Sequence, residues 1–249
     1  MKLKRAIVLA LFPILAGCNS EDAWDGIKTA GEVITQEWPV DDFHTIWLLD
    51  WVDLEITQDT ACWLIITGPK NIIADVTAEV VNDTLHIRDN NKHKWVRGFD
   101  HRVTMRMGVR HLKWIYLEGP ASIRTTNTLT SEYFTFRTRY SSGNISLMVN
   151  AKSFRTYLNR SHIDMRAEGT AEYAHINLRG NGFVRFDGLK AKWFTANNYG
   201  GGDISLYASE SLSGIINGPG NILYRGNPTH NSFSIGNRGT GRFINLDAE

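Results

Sequence analysis

The chain has 249 residues, of which 42% are hydrophobic, 21% charged and 11% aromatic, and its formal net charge is +1. This composition excludes a disordered chain, a collagen-like repeat and a multi-span membrane protein. The near-zero charge argues against a dedicated nucleic-acid binder, and two cysteines cannot build a disulfide scaffold.

At the N-terminus Lys2, Lys4 and Arg5 precede the apolar run Ala6–Leu15, which Pro13 interrupts and which is too short to span a bilayer. Leu15, Ala16, Gly17 and Cys18 follow, and this order resembles the lipobox of bacterial lipoproteins. The resemblance implies cleavage after residue 17, diacylglyceryl and palmitate-type acylation of Cys18, and a membrane anchor of two or three chains. Each buried CH₂ contributes about 0.8 kcal/mol, so such an anchor holds where a single chain does not. Asn19, rather than Asp, implies sorting to the outer membrane of a Gram-negative envelope. With Cys18 acylated, Cys62 has no intramolecular partner; opening the run Cys62–Ile66, it reads as a buried, inert small hydrophobe.

Residues 18–39 are polar and acidic without sustained periodicity, and read as the lipidated cysteine plus a tether. From residue 40 to 249 a single all-β domain is expected. The segments Val52–Ile56, Thr84–Arg88 and Arg102–Met107 alternate with period two and are rich in β-branched residues. Seven of the eight Trp occur at or before Trp114, and fifteen of the 22 Gly follow residue 141. The domain therefore divides into a Trp-rich part, 40–111, that caps or continues a Gly-rich repeat array, 112–249.

In that array a small residue stands two positions before a branched apolar one. The pattern occurs at Ala121-Ser122-Ile123, Gly143-Asn144-Ile145, Ser161-His162-Ile163, Gly182-Phe183-Val184, Gly202-Asp203-Ile204 and Gly220-Asn221-Ile222, with a weaker copy at Gly241-Arg242-Phe243. A period near twenty predicts a solenoid, because a coil this short buries its apolar face only against the next coil. The expected fold is a right-handed parallel β-helix; the alternative is an antiparallel β-sandwich with a strand about every ten residues.

The segment Ile216-Asn217-Gly218-Pro219-Gly220-Asn221-Ile222, continuing to Gly226-Asn227-Pro228, resembles the closing motif of the head GIN domain family of auto-transporter adhesins. Gly143-Asn144-Ile145 and Gly202-Asp203-Ile204 are similar to its internal copies, and the resemblance covers residues 40 to 228. It implies a secreted or surface β-helical domain and carries no catalytic residues. Gly119-Pro120-Ala121 and Ser161-His162 depart from the family pattern.

Outward columns follow from the alternation: Ser122, Asn144, His162, Phe183, Asp203, Asn221 in one, and Arg124, Ser146, Asp164, Arg185, Ser205, Leu223 in the next. Neither puts carboxylates in adjacent coils, as a lyase or glycosidase site requires, although Glu168, Glu172 and Asp187 leave another face open. The expectation is a non-enzyme without metal or cofactor. His162 and His175 read as a solvated or hydrogen-bonded pair across coils rather than as metal ligands.

Charge is uneven. Residues 19–93 hold 4 basic and 15 acidic side chains, whereas residues 94–166 hold 13 basic and 4 acidic. Mutual neutralisation of these segments is the favoured explanation. A ligand-binding surface is the other, with Arg102, Arg106, Arg137 and Arg139 as candidates for an anionic glycan or phosphate. Among Phe183, Trp193, Tyr199 and Tyr207, Trp193 and Tyr199 are the candidates for stacking on sugar rings, with packing into the solenoid interior the favoured reading for most of the four. The expected partners are thus the membrane, through Cys18, and an anionic glycan or envelope protein, not nucleic acid. A lipid-anchored adhesin or binding module is the leading role, with a periplasm-facing structural or assembly lipoprotein as the alternative.

Overall fold

The structure is a computed structural model that describes residues 30–91 and 102–248. The expected signal segment and Cys18 lie outside the described residues. Among the described residues, sixteen strands and one short helix occur in the order β1 (Val33–Trp38), β2 (Thr45–Leu49), β3 (Val52–Gln58), β4 (Trp63–Pro69), α1 (Lys70–Ile73), β5 (Val76–Val81), β6 (Thr84–Asp89), β7 (Val103–Val109) and β8 (Trp114–Pro120). The chain continues through β9 (Ile123–Thr125), β10 (Leu129–Asn159), β11 (His162–Arg179), β12 (Val184–Asn198), β13 (Ile204–Ile216), β14 (Ile222–Arg225), β15 (His230–Ile235) and β16 (Phe243–Asn245).

These strands stack into a parallel β-solenoid with two ladders. The first ladder runs β1-β4-β7-β3-β9-β10-β11-β12-β13-β14-β16. The second runs β5-β6-β2-β8-β10-β11-β12-β13-β15, so β10 to β13 bend round a corner and serve both. The Trp-rich part does both things open to it. Its strands β2, β3, β6 and β7 extend the parallel stacking, while β5 closes the second ladder and β4 with β1 closes the first, all antiparallel. Antiparallel closure covers the sheet edges that parallel rungs would leave open to pairing.

Two expectations need correction. Val33–Trp38, placed in the tether, is a strand paired with β4, and Ile34 and Trp38 pack against the core. Only those two side chains face inward, too few for the alternation to stand out among polar neighbours. The third repeat is also two residues out of step: Ile145 pairs with Met165, not Ile163, and Met165 pairs with Val184. Both Ile163 and Met165 are fully buried. A slip of two preserves inward and outward alternation, so the pattern alone does not reveal it. The true inward column is Met105, Leu54, Ile123, Ile145, Met165, Val184, Ile204, Ile222 and Phe243.

The corrected outward column explains the acid or amide of the repeat. Asp53 Oδ1 accepts the backbone N–H of Ser122 (2.9 Å), Asp164 that of Phe183 (3.0 Å), Asp203 that of Asn221 (2.7 Å), and Asn221 that of Arg242 (3.0 Å). Each side chain thus reaches up one coil and satisfies a backbone donor that the corner would otherwise leave unpaired. The preceding glycine answers to space: at Gly143, with φ +133°, a Cβ would lie 1.9 Å from the Ala121 carbonyl oxygen of the preceding coil.

Inside, the second ladder stacks Phe154, Ala174, Phe194 and Leu212. Phe186 from the first ladder fills the space above Ala174, with ring centroids 5.6 Å from Phe154 and 6.5 Å from Phe194. One column, Leu158, Leu178, Asn198 and Ile216, is broken by a fully buried amide. Asn198 accepts from Gly200 N (3.0 Å) and donates to the carbonyls of Gly202 (2.9 Å) and Asn221 (3.2 Å), pinning the glycine-rich corner. Cys62 is a free thiol, only partly buried against this core.

Replacing Asn198 by Leu restores an apolar column but takes the side-chain partner from two buried backbone groups, the Gly200 N–H and the Gly202 carbonyl, while the Asn221 carbonyl keeps the Ile204 N–H. The expected result is a loss of at least about 2 kcal/mol, read from the urea midpoint. Asp203→Ala should cost about 1 kcal/mol in the same assay, whereas Asp203→Asn should be close to neutral because the amide oxygen still accepts the Asn221 N–H.

Candidate functional site

The middle-segment cations separate onto two faces. On the first ladder, Arg102 pairs with Asp53 (3.2 Å), while Arg106 (4.0 Å) and Arg124 (2.5 Å) share Glu55. Arg110 similarly meets Asp42 at 2.8 Å. Parallel stacking of acidic β3 between basic β7 and β9 produces this neutralisation, as expected for that part of the charge imbalance. A groove of about 440 Å³ lies along this face, and its lining is charge-balanced, with Asp53, Glu55 and Asp164 facing Arg124, Arg166 and Arg185. Arg102 and Arg106 therefore belong to ion pairs on the first ladder.

The second ladder is different. Its outward column runs His86, Trp47, Tyr116 and Arg137 across four rungs, and Tyr157 packs against Arg137 one coil further on. Trp47 lies against His86 (5.3 Å between ring centroids) and Tyr116 (6.3 Å), and Trp114 stacks on Tyr116 at 5.7 Å. The Arg137 guanidinium sits over Tyr157 at 5.8 Å. Two residues along, Glu118 pairs with Arg139 in register, and Asn159 with Arg179. At the corner Tyr140 and Arg160 both adopt positive φ, 53° and 50°, and the Arg160 guanidinium donates to the Tyr140 hydroxyl. Arg139 and Arg160 lie over the Tyr140 ring at 5.2 and 5.5 Å, and Arg179 over Tyr199 at 4.8 Å.

These side chains surround a groove of about 780 Å³ lined by Trp47, Tyr116, Glu118, Arg137, Arg139, Arg160 and Arg179, among others. Among the described residues none of the four arginines lies within ion-pair distance of a carboxylate. The groove thus carries four guanidiniums and one carboxylate, beside an exposed aromatic strip. The hydrogen bond from Arg160, its charge, and the neighbouring Arg139 hold the Tyr140 phenol below its ordinary value. Under the same face His175 packs against Tyr157, and burial, with Arg155 nearby, pushes its imidazole below the usual histidine range. It does not meet His162 as expected.

Of the residues singled out from the sequence, Arg137 and Arg139 line this groove and Tyr199 supports it through Arg179. Trp193 is 40% exposed but stands apart, in register with Tyr173 and Ser211. The sequence reading missed Trp47, Tyr116, Glu118, Arg160 and Arg179. Two of these, Arg160 and Arg179, follow from applying the coil period to the second strand of each repeat: Arg139, Asn159, Arg179 and Tyr199 recur at one interval, as do Tyr140 and Arg160. Trp47 and Tyr116 become neighbours only through strand pairing. Of the three carboxylates left open, Glu168 meets Arg166 (2.7 Å) and Asp187 accepts from Ser205 (3.0 Å), while Glu172 lines a separate groove with Lys152, Lys190 and Lys192. Among the described residues no three His, Cys, Asp or Glu side chains converge as a metal site, and no helix is long and apolar enough to cross a membrane.

Comparison with known proteins agrees with this architecture. The family model described as "Putative auto-transporter adhesin, head GIN domain" matches residues 42–228. A solved structure of a "putative adhesin" from Bacteroides fragilis superposes with a TM-score of 0.79 at 28% identity, covering 86% of this chain and 97% of its own. Two Parabacteroides distasonis structures share the fold. One, described as a "Putative lipid binding protein", has a TM-score of 0.65 at 21% identity, with 86% and 97% of the two chains covered. The other, a "putative adhesin", has a TM-score of 0.62 at 15% identity, with coverage of 87% and 98%. No curated protein matches. With a family model spanning most of a solenoid built on its Gly-Asn-Ile repeats, the chain belongs to the head GIN domain family.

Proposed function

We propose that this protein is a non-enzymatic binding module of the bacterial cell envelope, held at the outer membrane by acylated Cys18, and that its second ladder binds an anionic glycan. One observation carries the reading: four arginines without carboxylate partners line a single groove beside Trp47 and Tyr116. Guanidinium forks match carboxylate or sulfate oxygens, and aromatic faces suit the apolar faces of sugar rings. A rigid scaffold holds these groups in place before the ligand arrives, which lowers the ordering cost of binding. The adhesin description of the family and of the Bacteroides fragilis structure supports this assignment.

The test is binding of the full mature chain to immobilised acidic and neutral polysaccharides. Binding should be selective for the acidic polymers and should weaken as salt is raised, because these charges are solvent-exposed. Arg139→Ala and Arg179→Ala should each weaken it about tenfold, whereas Arg102→Ala, which breaks an ion pair on the other face, should leave it unchanged. Equal retention on neutral polymers, or loss with Arg102→Ala alone, would sink the assignment. Protease digestion of the domain on intact cells is the expected outcome for an adhesin; protection until permeabilisation would turn the reading toward a periplasm-facing assembly lipoprotein.

A further inference from the structure

The groove on the second ladder has a direction and a charge rhythm as well as a sign. Its outward positions repeat at the rung spacing of about 4.8 Å, because each belongs to a separate parallel strand. The aromatic strip His86, Trp47 and Tyr116 leads, one strand at a time, to Arg137. Beside it, successive rungs present Glu118, Arg139, Asn159, Arg179 and Tyr199: an acid, a cation, a neutral amide, a cation and a phenol. Arg139 and Arg179 are therefore two rungs apart, about 9.6 Å, with the uncharged Asn159 between them in that column. Arg160, beside Asn159 on the same rung, turns its guanidinium to the Tyr140 hydroxyl at the corner.

Resting on the anionic-glycan reading above, we infer that the ligand is a linear polysaccharide lying along the solenoid axis, with a carboxylate on every second sugar. A sugar ring is about as long as the rung spacing, so an extended chain presents successive rings to successive rungs. Alternate acids then meet Arg139 and Arg179, while the intervening sugar faces Asn159, whose amide both donates to and accepts from hydroxyls. Glu118 adds discrimination. One rung from Arg139, it repels an acid on the neighbouring sugar but accepts from sugar hydroxyls, so a polymer charged at every residue is penalised there. The remaining sugars stack toward Tyr116 and Trp47, which are free of charge. From the rung of His86 to that of Arg179 the groove spans six rungs, about 24 Å, enough for a hexasaccharide.

The experiment compares the full mature chain with three probes: hyaluronan oligosaccharides, acidic at alternate sugars; oligogalacturonates, acidic at every sugar; and neutral dextran oligosaccharides. Hyaluronan should bind about tenfold more tightly than oligogalacturonate of equal length, with affinity rising from the tetrasaccharide to the hexasaccharide and then levelling off. Glu118→Gln should narrow the preference by improving oligogalacturonate binding, a gain that a misfolded variant could not produce. Equal or tighter binding of oligogalacturonate by the wild-type chain overturns the alternating-charge inference and leaves the anionic-glycan reading standing. Failure of both acidic probes to bind better than dextran overturns the two together.

Discussion

Backbone hydrogen bonding between parallel rungs is the constraint on which the rest of this molecule depends. Each coil donates and accepts along its length to the coils above and below, so residues about twenty apart in sequence are held at strand spacing. Whatever side chain occupies a position is therefore repeated or answered one rung away. Inside, this gives columns such as Ile123, Ile145, Met165, Val184 and Ile204. At the corners it forces backbones so close that a Cβ at Gly143 would collide with a carbonyl of the preceding coil.

The same geometry decides the fate of polar groups. Asp164 and Asp203 stand on the outer face, where paired carboxylates would make a catalytic site, yet each accepts a backbone N–H from the following coil. Asn198 interrupts an aliphatic column because the corner beside it needs a buried acceptor and donor. These residues act in the fold: at a solenoid corner the ladder is locally broken, and a side chain takes the place of the missing strand partner.

On the outer surface, stacking either cancels charge or concentrates it. Where β3 lies between β7 and β9, Asp53 and Glu55 meet Arg102, Arg106 and Arg124. On the second ladder, β8 contributes one carboxylate, Glu118, and β10 and β11 contribute arginines, so the positive charge is left facing a groove. Aromatic rings beneath Arg137, Arg160 and Arg179 orient the guanidiniums without discharging them, as carboxylates would.

Much of this was legible in the chain itself. The twenty-residue recurrence of small and branched residues determined the all-β solenoid, because a coil of that length has no other way to bury its apolar side. The closing motif around Gly218-Pro219-Gly220-Asn221-Ile222 determined the family. Arg137 and Arg139 were identifiable as two cations on one strand face. Tertiary structure decided the rest. The register of the third coil hinged on a two-residue slip that alternation cannot detect, and β1 had too few inward side chains to declare itself. Which arginines are neutralised depended on the rung beside each one. Trp47 joined Tyr116 through strand pairing across the whole Trp-rich part, a long-range contact that no local pattern encodes. Period specifies which residues stack within the repeats; only closure of the non-repeating coils onto them specifies which face is left charged.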